Sequence, residues 1–200
     1  MIAPTAFHRM AHPEGEVAMA KAAETCNQTA FSLSNWATST NEEVGQVAPS
    51  CLKFFQIYMS KSEAVNMDLW KRVKNAGFIA LLLTTDTQLL GKREKDTRNG
   101  FELPPHLNLA NLTKYESSGE TNTLKASGNS SGLAAYVKAH KDNEIGWDII
   151  PYVKKTSGLK VIAKGIMCYE DARLAIDNGA DGVYVSNHGA RQLDTTPATI

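Results

Sequence analysis

The chain has 200 residues, 42% of them hydrophobic, with 21 Lys and Arg balanced by 21 Asp and Glu. That length supports one domain with a real core, and zero net charge removes the electrostatic case for nucleic acid or an anionic membrane as partner. No run approaches the roughly 18 apolar residues of a membrane span, Met1-Ile2-Ala3-Pro4 shows no targeting signal, and the isolated Cys26, Cys51 and Cys168 predict free thiols rather than a disulfide framework or a zinc site.

In chain order, apolar strand-like runs alternate with helix-like segments. The chain opens in an apolar run that meets Pro4-Thr5-Ala6. A helix is predicted over about 13–26, with Pro13 in its first turn and Glu14 and Glu16 complementing the amino-terminal dipole. Ala30 to Leu33 reads as a strand, 34–39 as a polar loop, and Thr40-Asn41-Glu42-Glu43 as the start of a short helix. A strand over 52–58 is followed by an amphipathic helix over 62–76, closed by Gly77, and then by a buried strand over 78–84. The rhythm breaks from Gln88 to about Ser131. Residues 116–131, rich in Ser, Gly, Asn and Thr, predict a mobile loop. Helices near 147–157 and 170–178 then alternate with strands over 159–163 and 182–185. Six strands, the first present only as its end, predict an α/β fold with a parallel sheet and helices outside.

The stretch Gly182-Val183-Tyr184-Val185-Ser186-Asn187-His188-Gly189-Ala190-Arg191-Gln192-Leu193-Asp194 passes from buried strand to polar loop within a few residues. Loops at the carboxyl ends of parallel strands line the site of an α/β fold. His188 is a proton acceptor near neutral pH, Arg191 a fixed cation able to grip a carboxylate bidentately, and Gly189 lets backbone approach a ligand. Together they suggest chemistry beside a carboxylic acid. Other strand ends also carry polar residues. Gln56 and Tyr58, two apart, project from one strand face, and Thr84 and Asp86 repeat that spacing. Taken singly, Gln56 and Tyr58 serve equally for packing, Asp86 for a turn or cap, and Lys92-Arg93 for solvated surface. Lys164, ending an apolar strand, needs a counter-charge or water.

Ser-Asn-His-Gly-Ala-Arg-Gln-Leu-Asp closely resembles the signature of the FMN-dependent α-hydroxy-acid oxidase and dehydrogenase family, nearest its glycolate-oxidase and 2-hydroxy-acid-oxidase branch, and the likeness extends along nearly the whole chain. The resemblance implies a (β/α)8 TIM barrel, of which this chain holds about six of eight strands. It implies FMN as cofactor, with Pro4, Thr5, Ala6, Ser34, Gln56, Thr84, Lys164 and Ser186 toward the flavin and Lys164 beside its N1 and O2. His188 is the implied base, Asp86 the partner that orients it, Tyr58 a hydroxyl reaching substrate, and Arg93 and Arg191 the carboxylate clamp. The implied reaction oxidises a small, glycolate-like (S)-2-hydroxy acid to the 2-oxo acid, with oxygen as acceptor and hydrogen peroxide as product. A homo-oligomer and a peroxisomal address follow from the same resemblance. Asn35 stands where the family usually repeats Ser, and Gln88-Leu89 where members often have Pro. An amino-terminal segment with a further substrate tyrosine and the phosphate-holding stretches after strands seven and eight are expected outside this sequence. Alternative readings are therefore an inactive truncated fragment or a dehydrogenase with another electron acceptor.

Overall fold

The computed structural model describes residues 1–115, 124 and 131–199. Five parallel strands lie in sequence order: β1 (Phe31–Ser34), β2 (Lys53–Ile57), β3 (Ala80–Thr84), β4 (Lys160–Ile166) and β5 (Gly182–Val185). Ile2 adds a parallel bridge to Phe31, which is the expected remnant of a first strand. Helices connect the strands: α1 (Gly15–Thr25) before β1, α2 (Asn41–Val47), α3 (Glu63–Asn75), then α4 (Glu94–Arg98), α5 (Gly132–His140) and α6 (Ile149–Ser157) between β3 and β4, and α7 (Tyr169–Asp177) before β5. This is the α/β alternation read from the sequence, with α4 added inside the long gap and α5 just after it. The loop expected over 116–131 lies outside the described residues except for Leu124 and Ser131.

The sheet has two chemically different faces because side chains alternate along a strand. Phe31, Leu33, Phe55, Ile57, Leu81, Leu83, Val161 and Ala163 form the core with the helices. The register sets Ser34 beside Gln56, and Thr84 beside Lys164 beside Tyr184, on the opposite face. Parallel pairing places every carboxyl end on one edge, so polar residues far apart in sequence share one rim.

Local chemistry fixes the ends of the helices. Thr40 and Glu43 form a reciprocal capping box at the start of α2. Its other end is held by buried Lys53, whose Nζ donates to the Ala48, Pro49 and Cys51 carbonyls at 2.6, 3.2 and 3.2 Å. Ser131 caps α5 through the Ala134 amide. The start of α1 differs from expectation. A His12–Gly15 turn precedes it, so Pro13 lies in that turn rather than in the helix. Glu16 is in the first turn, as expected, and is fully buried there.

Glu16 ties the amino-terminal segment to the loop after β1. Its carboxylate accepts from the His8 and Thr38 amides at 3.0 and 2.9 Å, and from the Thr38 and Ser39 hydroxyls at 2.9 and 2.8 Å. Burial acts to raise its pKa, but these donors win and hold it below the ordinary 4.5. Its stabilisation is therefore complete above pH 4.5 and is lost as pH falls through the lower folded value. Glu16→Gln is expected to cost about 1–3 kcal/mol in urea denaturation at neutral pH. The variant should also lose this part of the acid dependence of stability; an unchanged midpoint contradicts the anchoring role.

Candidate active site

A cavity of about 470 Å³ opens at the carboxyl edge of the sheet. Pro4, Thr5 and Ala6 line one side, and Ser34, Gln56, Tyr58, Arg93, Lys164, Ser186, His188 and Arg191 contribute from the strand ends and loops. Two of the predicted residues stand behind this wall. Thr84 is buried, and its hydroxyl accepts from Gln56 Nε2 at 2.9 Å. Asp86 backs His188, with its Oδ1 2.8 Å from His188 Nδ1.

Gln56 is oriented from both ends. Its Oε1 accepts from Ser34 Oγ at 3.2 Å and from the Asn35 amide at 3.3 Å, while Thr84 takes one of its two amide hydrogens. Asn35 thus orients Gln56 through its backbone amide. Tyr58 stacks on Trp36 with centroids 4.3 Å apart, and its Oη lies 3.4 Å from His188 Nε2. Burial first, then the Asp86 charge, raises the pKa of Tyr58, so it remains a phenol and a donor at neutral pH.

The Asp86–His188 pair is shielded, with side chains 13% and 18% exposed. Burial acts to raise the Asp86 pKa, but hydrogen bonding and charge from His188, with help from Thr87 and Lys164, hold it below the ordinary range. An ionised Asp86 accepting from Nδ1 leaves Nε2 as the lone-pair nitrogen facing the cavity. Lys164 is 5% exposed, and its ammonium has no hydrogen-bond partner among the described residues. Burial lowers its pKa against the pull of Asp86. Burial and then the neighbouring Arg191 also lower that of Arg93, whose buried Nε has no hydrogen-bond partner among the described residues. Three cations therefore border a cavity with no carboxylate among its described lining residues, an arrangement suited to anionic groups.

Several positioning residues escaped sequence reasoning. Gly165 adopts φ 106° at a register shift in β4. A Cβ there would meet Asp86 Cγ at 2.7 Å, so this bulge makes room for the carboxylate. The Lys164 carbonyl at the same bulge accepts from Thr85 N at 2.8 Å. Gln192 joins two loops: its Nε2 donates to the Asp86 and Leu89 carbonyls at 3.1 and 2.8 Å, and its Oε1 accepts from the Gly91 amide at 3.0 Å. Gly91 packs so closely that a Cβ would lie 2.1 Å from the Arg191 carbonyl. Each residue was visible as Lys-Gly or Arg-Gln, but only the register and the approach of loops 100 residues apart give it a task.

The loop after β5 is held in an uncommon conformation. His188, Gly189 and Ala190 have φ of 59°, 64° and 59°. Asn187 Oδ1 accepts from the Gly189 and Ala190 amides, and Ser186 Oγ from the His188 amide. Left-handed non-glycine residues cost on the order of 1–2 kcal/mol each, which these bonds offset. Gln192→Ala is expected to accelerate hydrogen exchange at the Gly91 amide by about tenfold or more, because its acceptor is lost. Unchanged exchange contradicts the clamp.

A profile of the FMN-dependent dehydrogenase family matches residues 1–200. The chain is 46% identical over 200 residues to glycolate oxidase 3 of Oryza sativa subsp. indica, and 47% identical to glycolate oxidase of Spinacia oleracea. All of this chain is aligned in both cases, against 53% and 52% of the relatives, so the chain spans about half the length of the curated relatives it matches. A crystal structure of mandelate oxidase with (S)-4-hydroxymandelic acid superimposes with a TM-score of 0.86 at 33% identity, covering 99% of this chain and 53% of that one. With matching sequence, sheet and barrel neighbours in agreement, the chain belongs to the FMN-dependent dehydrogenase family.

Proposed function

We propose that this chain carries the catalytic wall of an FMN-dependent (S)-2-hydroxy-acid oxidase. The observation that carries the proposal is the Asp86–His188 pair opening onto a cavity bordered by Arg93 and Arg191. Relatives named glycolate oxidase and mandelate oxidase support a 2-hydroxy acid as substrate. Their being oxidases supports molecular oxygen as terminal acceptor, with hydrogen peroxide as product.

The residues fit FMN. The cavity lies within the roughly 300–1,000 Å³ range of cofactor and ligand sites. Lys164 presents an ammonium that has no hydrogen-bond partner among the described residues and lies 5.9 Å from the Tyr184 ring centroid, and Gln56 keeps a second amide hydrogen on the same wall. Pro4–Ala6, Ser34, Gln56, Lys164 and Ser186 are proposed to hold the cofactor. FMN, when bound, supplies the two-electron acceptor.

The protein residues bind the substrate and manage its protons. Arg93 and Arg191 hold the carboxylate, leaving the α-carbon and its hydroxyl toward the base. Conversion to the 2-oxo acid releases two electrons and two protons, and His188 Nε2 takes one of those protons. The resulting imidazolium is stabilised by ionised Asp86 across the 2.8 Å contact. Tyr58 donates from within reach of the same Nε2 and is placed to hold the substrate oxygen. Lys164 offsets negative charge that accumulates on the cofactor side.

The test is the absorbance of the purified chain with FMN before and after anaerobic glycolate. The proposal predicts a bound-flavin band that bleaches; a bound flavin untouched by glycolate, lactate and mandelate contradicts it. His188→Ala is expected to retain FMN but to slow bleaching by about 10²–10⁴-fold. Arg191→Lys, which loses the bidentate grip, is expected to raise KM about tenfold or more. Rapid reduction in the first variant, or an unchanged KM in the second, removes that residue from its role.

A further inference from the structure

Thr85-Asp86-Thr87 leaves β3 at the carboxyl edge of the sheet, and its three side chains take different partners. Thr85 Oγ1 donates to the Lys164 carbonyl at 3.0 Å, which ties the loop to the β4 bulge. Thr87, only 1% exposed, donates from Oγ1 to Asp86 Oδ1 at 2.8 Å. His188 Nδ1 lies 2.8 Å from that same oxygen. Asp86 Oδ2, by contrast, is buried beside Gly165 and has no hydrogen-bond partner among the described residues. Two donors therefore share one carboxylate oxygen while the other has none, although a carboxylate offers acceptor sites on both.

We propose that Thr87 is a positioning residue that moderates the base by sharing the Asp86 oxygen with His188. The inference rests on the reading of His188 as the base and adds the residue that tunes it. A hydrogen bond to a carboxylate oxygen draws off part of its negative charge, which weakens the pull of that oxygen on a second donor. The imidazolium at His188 is then stabilised enough to form and held loosely enough to give its proton up. The orientation of the carboxylate does not depend on Thr87 alone. The Gly165 backbone abuts it, since a Cβ there would stand 2.7 Å from Asp86 Cγ and 2.8 Å from Oδ2. Removal of the Thr87 hydroxyl thus leaves Asp86 in place and returns its charge to His188. The other charged or titratable groups near the pair are Tyr58 after β2, Arg93 before α4, Lys141 after α5, Lys164 on β4, Asp171 in α7 and Arg191 after β5. Among the described residues, only Thr87 and His188 bond Oδ1.

The test compares Thr87→Val and Thr87→Ala, which lack the hydroxyl, with Thr87→Ser, which keeps it. By NMR of the nitrogen-15-labelled chain, the proton on His188 Nδ1 is expected to resonate further downfield in both hydroxyl-free variants, because its bond to Asp86 strengthens. In the FMN-loaded chain, the acid limb of the pH profile for bleaching by glycolate is expected to move upward by about half to one pH unit in the same variants, since the base holds its proton more tightly. Thr87→Ser is expected to restore both native positions. An unmoved resonance, an unmoved limb, movement in the opposite direction, or an equal change in Thr87→Ser overturns the inference. A native chain that binds FMN but is not bleached counts against the hydroxy-acid reading alone, because the resonance still decides the role of Thr87.

Discussion

A shielded carboxylate beside an imidazole keeps its charge only if the hydrogen bond between them is short and the space around them is fixed. Asp86 and His188 meet at 2.8 Å across 102 residues of sequence, one following β3 and the other following β5. Between those strands runs β4, and its bulge at Gly165 supplies the room for the Asp86 side chain. The loop carrying His188 is bent through three left-handed residues and then clamped by Gln192 to the Asp86 loop. The contact between Asp86 and His188 is thus the meeting point of three strands and two loops.

The charge pattern follows from the same packing. Asp86 is committed to His188, so it does not neutralise the cations on the cavity wall. Lys164 has no hydrogen-bond partner among the described residues, and Arg191 stands close enough to help lower the pKa of Arg93. Like charges held together in a folded site are unfavourable until an anion arrives. The fold tolerates this because its own stability is supplied elsewhere, by the apolar layer between sheet and helices and by anchors such as Glu16 and Lys53.

The strands and most helices were legible because their periodicity reports burial on one or two faces. Most expected boundaries shifted by one or two residues, as with the strand expected to start at Ala30 and observed from Phe31, while the strand expected to end at Ala163 runs three residues further, to Ile166. Helix α4 was missed because Glu-Lys-Asp-Thr-Arg has no apolar face, and α5 because it is short, although Leu133 and Val137 stand one turn apart on its buried side. Glu16 stands in the first turn of α1 as its sequence position suggests, but its burial was not legible, because only the tertiary approach of Thr38 and Ser39 encloses it. Residue types at strand ends correctly marked the rim of the cavity, with Thr84 and Asp86 one layer behind. Gly165, Gly91 and Gln192 carried no local signal, since their importance lies in what comes near them.

The most direct test of the central claim is nitrogen-15 NMR of the His188 imidazole at about pH 9, above the range in which histidines ordinarily titrate. The account predicts a single tautomer, with the proton on Nδ1, donated to Asp86, and a bare Nε2 facing the cavity. A proton on Nε2 with a bare Nδ1 would contradict it, because the nitrogen offered to substrate could then accept nothing.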